Sequence, residues 1–393
     1  MPSADLPEID ESTLGEVVGI ALDDPGARVV DWQAGALGAV LVAWTTEGIY
    51  RITGTATTAT GRSDWSLVLK VLARRDFTWL SEALGPEYAD SFDPLTFWAT
   101  ERDALCSDLL AQPTGRFVPV RCYAAHERGD TIQLWLEDIR EPPGTVWDLP
   151  RHALAARHLG QFNGSHAGAA TAAYPWLHSN AVRSMLTNSS RSWPLIDETD
   201  WHAPRVARVF PTPLADRLAR VVGARERLLT CLAEQPQSLA HQDPGRRNML
   251  SRLSPSGEVE TVAVDWGAAG VAAIGEDLGN QVLGNLFFLD VDPSHAHEYR
   301  EAALDAYLAG LRDAGCQVDP SLVRQAALAH GLKYVGMTHA WIHQRADGEA
   351  VPGLLTRGDA SFGLADETWV RWGEAVYAVL DAVEEAVAGL DEG

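Results

Sequence analysis

The dominant period of this chain's hydrophobic pattern shifts from strand-like to helical near residue 141, and that shift divides it. Over residues 28–72 the apolar positions come in short runs rich in Val, Ile, Trp and Thr: RVVDW, GAVLVAW, GIYRITGTATT and WSLVLKVL. AGALG and ATGRSD between them read as glycine-rich turns, so the region reads as an antiparallel sheet. A helical pattern over 95–112 and two further strand-like runs, FVPVRCYAAH and TIQLWLEDI, follow. EPPG at 141–144 then breaks regular structure. Beyond it, RHALAARHLGQFNGSHAG, ADRLARVVGARERLLTCLAE, HAHEYREAALDAYLAGLRDAG, SLVRQAALAHGLKYVGMTHAWIHQ and ETWVRWGEAVYAVLDAVEEAVAGL all repeat apolar residues at the helical spacing. A first helix over 8–22, with Asp10 and Ser12 as possible caps, precedes the strands. The chain thus reads as α+β, with a sheet unit over 1–140 and a mainly helical unit over 141–393.

At 393 residues and 46% hydrophobic content, each unit can bury a core of its own. The acidic N-terminus MPSADLPEIDESTLGE lacks the basic start of a secretory signal, and no apolar stretch reaches the roughly 18–20 residues that span a bilayer. A cytoplasmic protein without a membrane partner is expected. The four cysteines stand singly, a pattern that supports neither a zinc site nor a disulfide framework and predicts buried, reduced thiols. A net charge of −23 repels nucleic acid phosphates and excludes nucleic acid as a partner. The chain contains only two lysines, Lys70 and Lys333, its other basic residues being arginines. A lysine kept in such a chain marks a place where a compact ammonium matters.

The stretch SLAHQDPGRRNML places His241, Asp243 and Asn248 in the order H-x-D-x-x-x-x-N, and the apolar run VAVDWG then ends on Asp265. Asp243-Pro244-Gly245 by itself would build a turn. The segment SRLSPSGEVE between the two motifs makes a hairpin that delivers both carboxylates to one place.

HQDPGRRN and VDWG resemble the catalytic loop and metal-binding motif of the aminoglycoside phosphotransferase and choline kinase family, the small-molecule branch of the protein-kinase-like fold. The other landmarks follow in order: VLK with Lys70, a helix with Glu101, the hinge-like LWLEDI, RHALAARHLGQFNG, and GEDLGN. The likeness covers roughly residues 30–290; the later helices match only in kind. It implies a bilobal fold, with an antiparallel-sheet nucleotide-binding lobe and a helical catalytic and acceptor-binding lobe. It also implies ATP or GTP as co-substrate, with Mg2+.

By that resemblance Asp243 orients the acceptor hydroxyl and accepts its proton, His241 braces the loop, and Asn248 with Asp265 holds magnesium. Lys70 neutralises phosphate oxygens and Glu101 fixes its ammonium, although Glu82 and Glu87 lie in the same interval. Glu137, Asp138 and Ile139 stand at the hinge that reads the base, and Gly35 and Gly38 in the loop that covers the phosphates. AGALG does not complete the G-x-G-x-x-G pattern. Gln242 stands where many members carry Gly, and Arg246 and Arg247 lie inside the loop, placed to bind phosphate or to face solvent. No A-P-E motif follows Gly267, which argues against a protein substrate.

The expected activity is transfer of a γ-phosphoryl group to a hydroxyl of a small molecule. An antibiotic or other natural product is the leading acceptor class, with a resistance or self-protection role. Trp176, Trp193, Trp201 and Trp341 would wall its pocket, and Asp197, Glu198 and Asp200 would attract a cationic or polar alcohol. Ordinary packing explains the Trp-rich segment equally well. A primary-metabolite kinase for a sugar, choline-like or amino alcohol is one alternative. A non-catalytic nucleotide-binding protein on the same fold is another.

Overall fold

Asp10 starts the first element by accepting the N–H of Thr13 at 2.8 Å, which caps α1 (Glu11–Ala21). The computed structural model describes residues 6–37, 45–74, 98–111, 115–141, 145–169, 174–179, 182, 201, 204–211, 214–338 and 366–392. Strands β1 (Arg28–Ala36), β2 (Thr46–Thr58) and β3 (Gly61–Ala73) form consecutive antiparallel pairs. The predicted strand GAVLVAW at 38–44 lies outside the described residues.

Alternation along β2 and β3 turns Tyr50, Ile52, Ala56, Trp65, Leu67 and Leu69 toward Leu14, Val17 and Val18 of α1. Lys70 therefore points to the opposite face, opposite Ile49 on β2 and Leu134 on the far side. α2 (Thr100–Cys106) is shorter than the 95–112 pattern suggests; residues 95–97 lie outside the described part, and the helix ends at Ser107, which is extended.

The run FVPVRCYAAH does not form one strand. β4 (Phe117–Pro119) pairs in parallel with a later strand, and only β5 (Cys122–Arg128) joins β6 (Thr131–Glu137) in the five-stranded sheet, ordered β1-β2-β3-β6-β5. Pro119 has no N–H to extend a ladder, and Val120 N–H goes instead to Ala263 O at 2.9 Å. This split ties the sheet unit to the strands that carry the hairpin.

Past residue 145 the chain is mainly helical. α3 (Leu149–Ser165) is capped by Asp148, and the short β7 (His178–Ser179) follows. After α4 (Pro204–Val209), the expected helix over 215–234 divides into α5 (Ala215–Gly223) and α6 (Arg225–Glu234). The break falls just after Gly223, a weak helix former. β8 (Gln237–Ala240), β9 (Met249–Leu253), β10 (Val259–Ala263) and β11 (Gly270–Ala273) make two small sheets, β4-β10-β9 and β7-β11-β8.

α7 (Glu276–Gly279) then runs through a π turn (Asn280–Gly284) into α8 (Asn285–Phe287). α9 (Ala296–Asp313), α10 (Pro320–Ala329) and α11 (Asp366–Glu392) complete the layer, with further helical backbone over 332–338. α3 and α9 touch backbone to backbone, because a Cβ at Gly160 would meet Tyr307 O at 2.2 Å and one at Gly310 would meet Arg157 O at 2.0 Å. That close contact brings Tyr307 of α9 to Asn163 of α3.

The cysteines are free but not buried as expected: Cys106 is exposed and the other three are half-buried, Cys122 and Cys316 lying at the margin of a core rather than within it. Among the described residues no helix is long and apolar enough to cross a membrane.

Candidate active site

The loop from His241 to Asn248 leaves β8 and re-enters β9 through one 3-10 turn (Arg246–Asn248). Its backbone is held by a buried carboxylate. Asp277, on α7, accepts the N–H of His241 at 2.9 Å and that of Gln242 at 2.8 Å, together with Asn163 Nδ2 at 3.1 Å. Asn163 is fixed in turn by Tyr307, whose hydroxyl donates to Asn163 Oδ1 at 2.8 Å. Burial pushes the Asp277 carboxyl above the usual range against the pull of these donors. Gln242 adopts φ 62°, a left-handed conformation, and its carbonyl accepts from Asn280 Nδ2 at 2.9 Å.

His241 is fully buried and links the loop to the end of the hairpin. Its Nε2 donates to Val264 O at 3.0 Å, its Nδ1 accepts Asp243 N–H at 3.2 Å, and its ring packs on Trp266 with centroids 4.6 Å apart. With both nitrogens so engaged, it braces the turn and has no atom free for a substrate.

Asn248 Nδ2 donates to both Asp243 O and Asp243 Oδ2 at 2.9 Å. Because both partners are oxygens, the amide orientation is dictated, and Asn248 Oδ1 faces away from Asp243. The other oxygen of Asp243, Oδ1, lies 3.2 Å from Lys333 Nζ.

Asp265 follows β10 with φ 63° and directs Oδ1 to Lys70 Nζ at 2.8 Å. Glu101 of α2 reaches the same ammonium at 2.5 Å. Burial alone would lower the Lys70 ammonium, but Asp265 and Glu101 outweigh it and hold it above its ordinary value. Burial would likewise raise Asp265, yet Lys70 holds it low; Glu101 is pushed up by burial in spite of Lys70. Two carboxylates thus share one buried cation beside the Asp243 loop.

The hinge side chains are tied into ion pairs. Glu137 meets Arg252 at 2.7 Å, while Asp138, 2% exposed, accepts from Arg51 at 3.0 Å, Ser66 at 2.5 Å and Arg140 at 2.7 Å. Burial opposes ionisation of Asp138, but these donors hold its carboxyl below the usual range. Ile139 packs at the margin of the core cluster that contains Leu134 and Leu136. Gly35 lies on β1 opposite Arg51 with open space where a Cβ would be.

Arg246 reaches Glu141 at 2.8 Å and Met249 O at 2.8 Å and lies over Trp147, so it clamps the loop to the start of the helical unit. Arg247 lies over Phe288 and 3.7 Å from Asp290. Trp176 meets Tyr174 edge-on and Trp201 meets Phe210, both at the margin of the main core. Gly38, Glu82, Glu87, Trp193, Asp197, Glu198, Asp200 and Trp341 lie outside the described residues.

Sequence reasoning did not assign Asp277, Asn163 or Lys333 to the site. GEDLGN contained the first, but its partners are mostly backbone N–H groups, which leave no trace in residue type. Lys333 carried one signal, the scarcity of lysine.

No family model matches the sequence, and no curated protein matches it. Among solved structures, an aminoglycoside phosphotransferase from Alicyclobacillus acidocaldarius subsp. acidocaldarius is similar over 98% of this chain and 98% of its own, with TM-score 0.55 and 16% identity. Choline kinase from Cryptosporidium parvum Iowa II is similar over 92% of each chain, with TM-score 0.47 and 12% identity. An aminoglycoside phosphotransferase from Streptomyces rimosus covers 84% of this chain and 98% of its own, with TM-score 0.40 and 15% identity. At such identities the likeness is one of fold, and the first of the three carries it. The chain has the bilobal, protein-kinase-like fold of the aminoglycoside phosphotransferases.

Proposed function

We propose that this chain transfers the γ-phosphoryl group of ATP or GTP to a hydroxyl of a small molecule, with an antibiotic or other natural product as the acceptor. The observation that carries this reading is the meeting of Lys70, Glu101 and Asp265 beside a loop that presents Asp243 and Asn248. The nucleotide is assigned to the cleft between the sheet unit, 1–140, and the helical unit, 141–393. Lys70, held by Glu101, binds phosphate oxygens there.

The donor set suits magnesium. Asp265 supplies a carboxylate and Asn248 an amide oxygen turned away from Asp243, hard ligands too few for an all-protein cage but suited to an ion that also takes phosphates and water. Among the described residues no cluster of three His, Cys, Asp or Glu side chains is arranged to hold a metal without such help. Magnesium, when bound, neutralises phosphate charge.

Asp243 accepts the proton of the acceptor hydroxyl as the new O–P bond forms, and the bond to the leaving nucleoside diphosphate breaks with its electron pair. Asn248 keeps the carboxylate aimed by holding Oδ2, so Oδ1 is the oxygen presented to the acceptor.

The test is a screen of natural-product alcohols with ATP or GTP and magnesium, read as a mass gain of one phosphoryl group. A product that depends on nucleotide and magnesium supports the reading. Nucleotide binding without turnover on any alcohol class, simple metabolites included, would favour a non-catalytic binding protein.

A further inference from the structure

Both lysines of this chain end at the candidate site, though 263 positions separate them in sequence: Lys70 meets Asp265 at 2.8 Å, and Lys333 meets Asp243 at 3.2 Å. Lys333 comes from the helical backbone at 332–338, far from either motif. Its neighbours Leu332, Tyr334 and Val335 are buried in the main core, and Tyr334 packs against Phe287 with ring centroids 5.2 Å apart. The backbone at this point is therefore fixed by packing, and Lys333 is the residue through which this buried segment reaches the loop.

The two oxygens of Asp243 are differentiated. Oδ2 is taken by Asn248, whereas Oδ1 faces Lys333 on a side chain that is 47% exposed. A carboxylate oxygen has two lone pairs, so Oδ1 can accept from the ammonium and from an incoming hydroxyl together. With Nζ only 3.2 Å from Oδ1, an alcohol oxygen that hydrogen-bonds to Oδ1 can at the same time accept from Nζ, which has three hydrogens to give. Arginine, the basic residue this chain otherwise uses, would bring a planar fork instead of a compact charge.

We propose that Lys333 is a further catalytic residue of the transfer, holding the acceptor oxygen between its ammonium and the Asp243 carboxylate. This rests on the phosphotransferase reading above. The hydroxyl proton passes to Asp243 Oδ1, the acceptor oxygen bonds to phosphorus, and the nucleoside diphosphate departs. Lys333 keeps all its protons and offsets the negative charge that gathers where carboxylate, alkoxide and phosphoryl oxygens converge.

Water serves as the probe acceptor. Magnesium-dependent phosphate release from ATP is measured on the full chain beside its Lys333→Met, Lys333→Arg and Lys333→Ala variants, together with magnesium-ATP affinity and melting temperature. Lys333→Met is expected to lower kcat about 10²- to 10³-fold while leaving nucleotide affinity and melting unchanged, the loss seen when one charge-stabilising donor is removed. Lys333→Arg is expected to retain part of the rate, and ethylammonium to restore part of it to Lys333→Ala, which a merely structural lysine would not allow. Undiminished or faster hydrolysis by Lys333→Met, with affinity intact, overturns the role of Lys333 and leaves the phosphotransferase reading standing. A wild-type chain that neither binds nor hydrolyses magnesium-ATP removes that reading and the proposal with it.

Discussion

Asp277 Oδ1 holds the backbone N–H of Gln242 at 2.8 Å, and Gln242 stands at φ 62°. A carboxylate on one helix thus keeps a non-glycine residue in a conformation that costs an L-residue roughly 1–2 kcal/mol. The geometry of the 241–248 loop is therefore imposed from outside the loop.

Gln242→Gly should be close to neutral, within about 1 kcal/mol, because relief at positive φ offsets loss of the buried side chain. Gln242→Val should be less stable than the Gly variant by about 1–2 kcal/mol or more, since a β-branched residue fits this region worst. Urea unfolding of the three proteins measures both differences. A Val variant as stable as wild type would mean that Asp277 does not hold the loop in this conformation.

Asp243→Asn should keep nucleotide binding and slow phosphoryl transfer by about 10²- to 10⁴-fold, the range for loss of a positioned general base. The amide oxygen can still accept from Asn248, so the loop should survive the change. Transfer rates near wild type, with an unchanged melting temperature, would take Asp243 out of the proton transfer.

Lys70 is the shared cation of Glu101 and Asp265, so its removal leaves two crowded carboxylates without a partner. Lys70→Met should cost about 3–5 kcal/mol of stability. Adding Glu101→Gln should recover part of that loss, because one of the stranded charges disappears with it. Denaturant melts of the single and double variants decide it; additive losses would show that Lys70 and Glu101 are not coupled in the folded protein.

What could be read from the sequence was local. The switch from short strand-like runs to helical spacing marked the sheet and the helices, because burial on one face imposes those periods. His241, Asp243 and Asn248 lie within eight positions, so their spacing was visible as a motif. Asp277 acts on backbone groups, and Lys333 reaches Asp243 from a distant helix; no spacing records either contact. FVPVRCYAAH looked like one strand because β-propensity does not reveal which sheet a residue joins, and Pro119 is where the two sheets part.

His152 connects this architecture to pH. Its ring lies between Trp147 and Tyr299, with centroids 5.4 and 5.2 Å away, and neither ring nitrogen has a hydrogen-bond partner among the described residues. Burial, with Arg246 and Arg151 nearby, lowers its pKa to about 4. His158 is lowered to about 4 as well, by burial and by Arg151, Arg116 and Arg157, but it keeps a 3.0 Å contact with Thr261. Both folded-state values lie below the unfolded value of roughly 6.5, so the unfolded chain binds more protons in between. Stability is then full above about pH 6.5 and falls as the pH drops toward about 4. Each histidine should contribute a loss on the order of 2 kcal/mol between about pH 7.5 and pH 5. His152→Phe keeps the aromatic packing and sacrifices no hydrogen bond of the ring, so it should match or exceed wild-type stability at about pH 7.5 and remove about half of this acid sensitivity. Urea melts of both proteins at the two pH values test this: an unchanged acid loss in the variant would mean that His152 is not the buried neutral group whose protonation opposes folding.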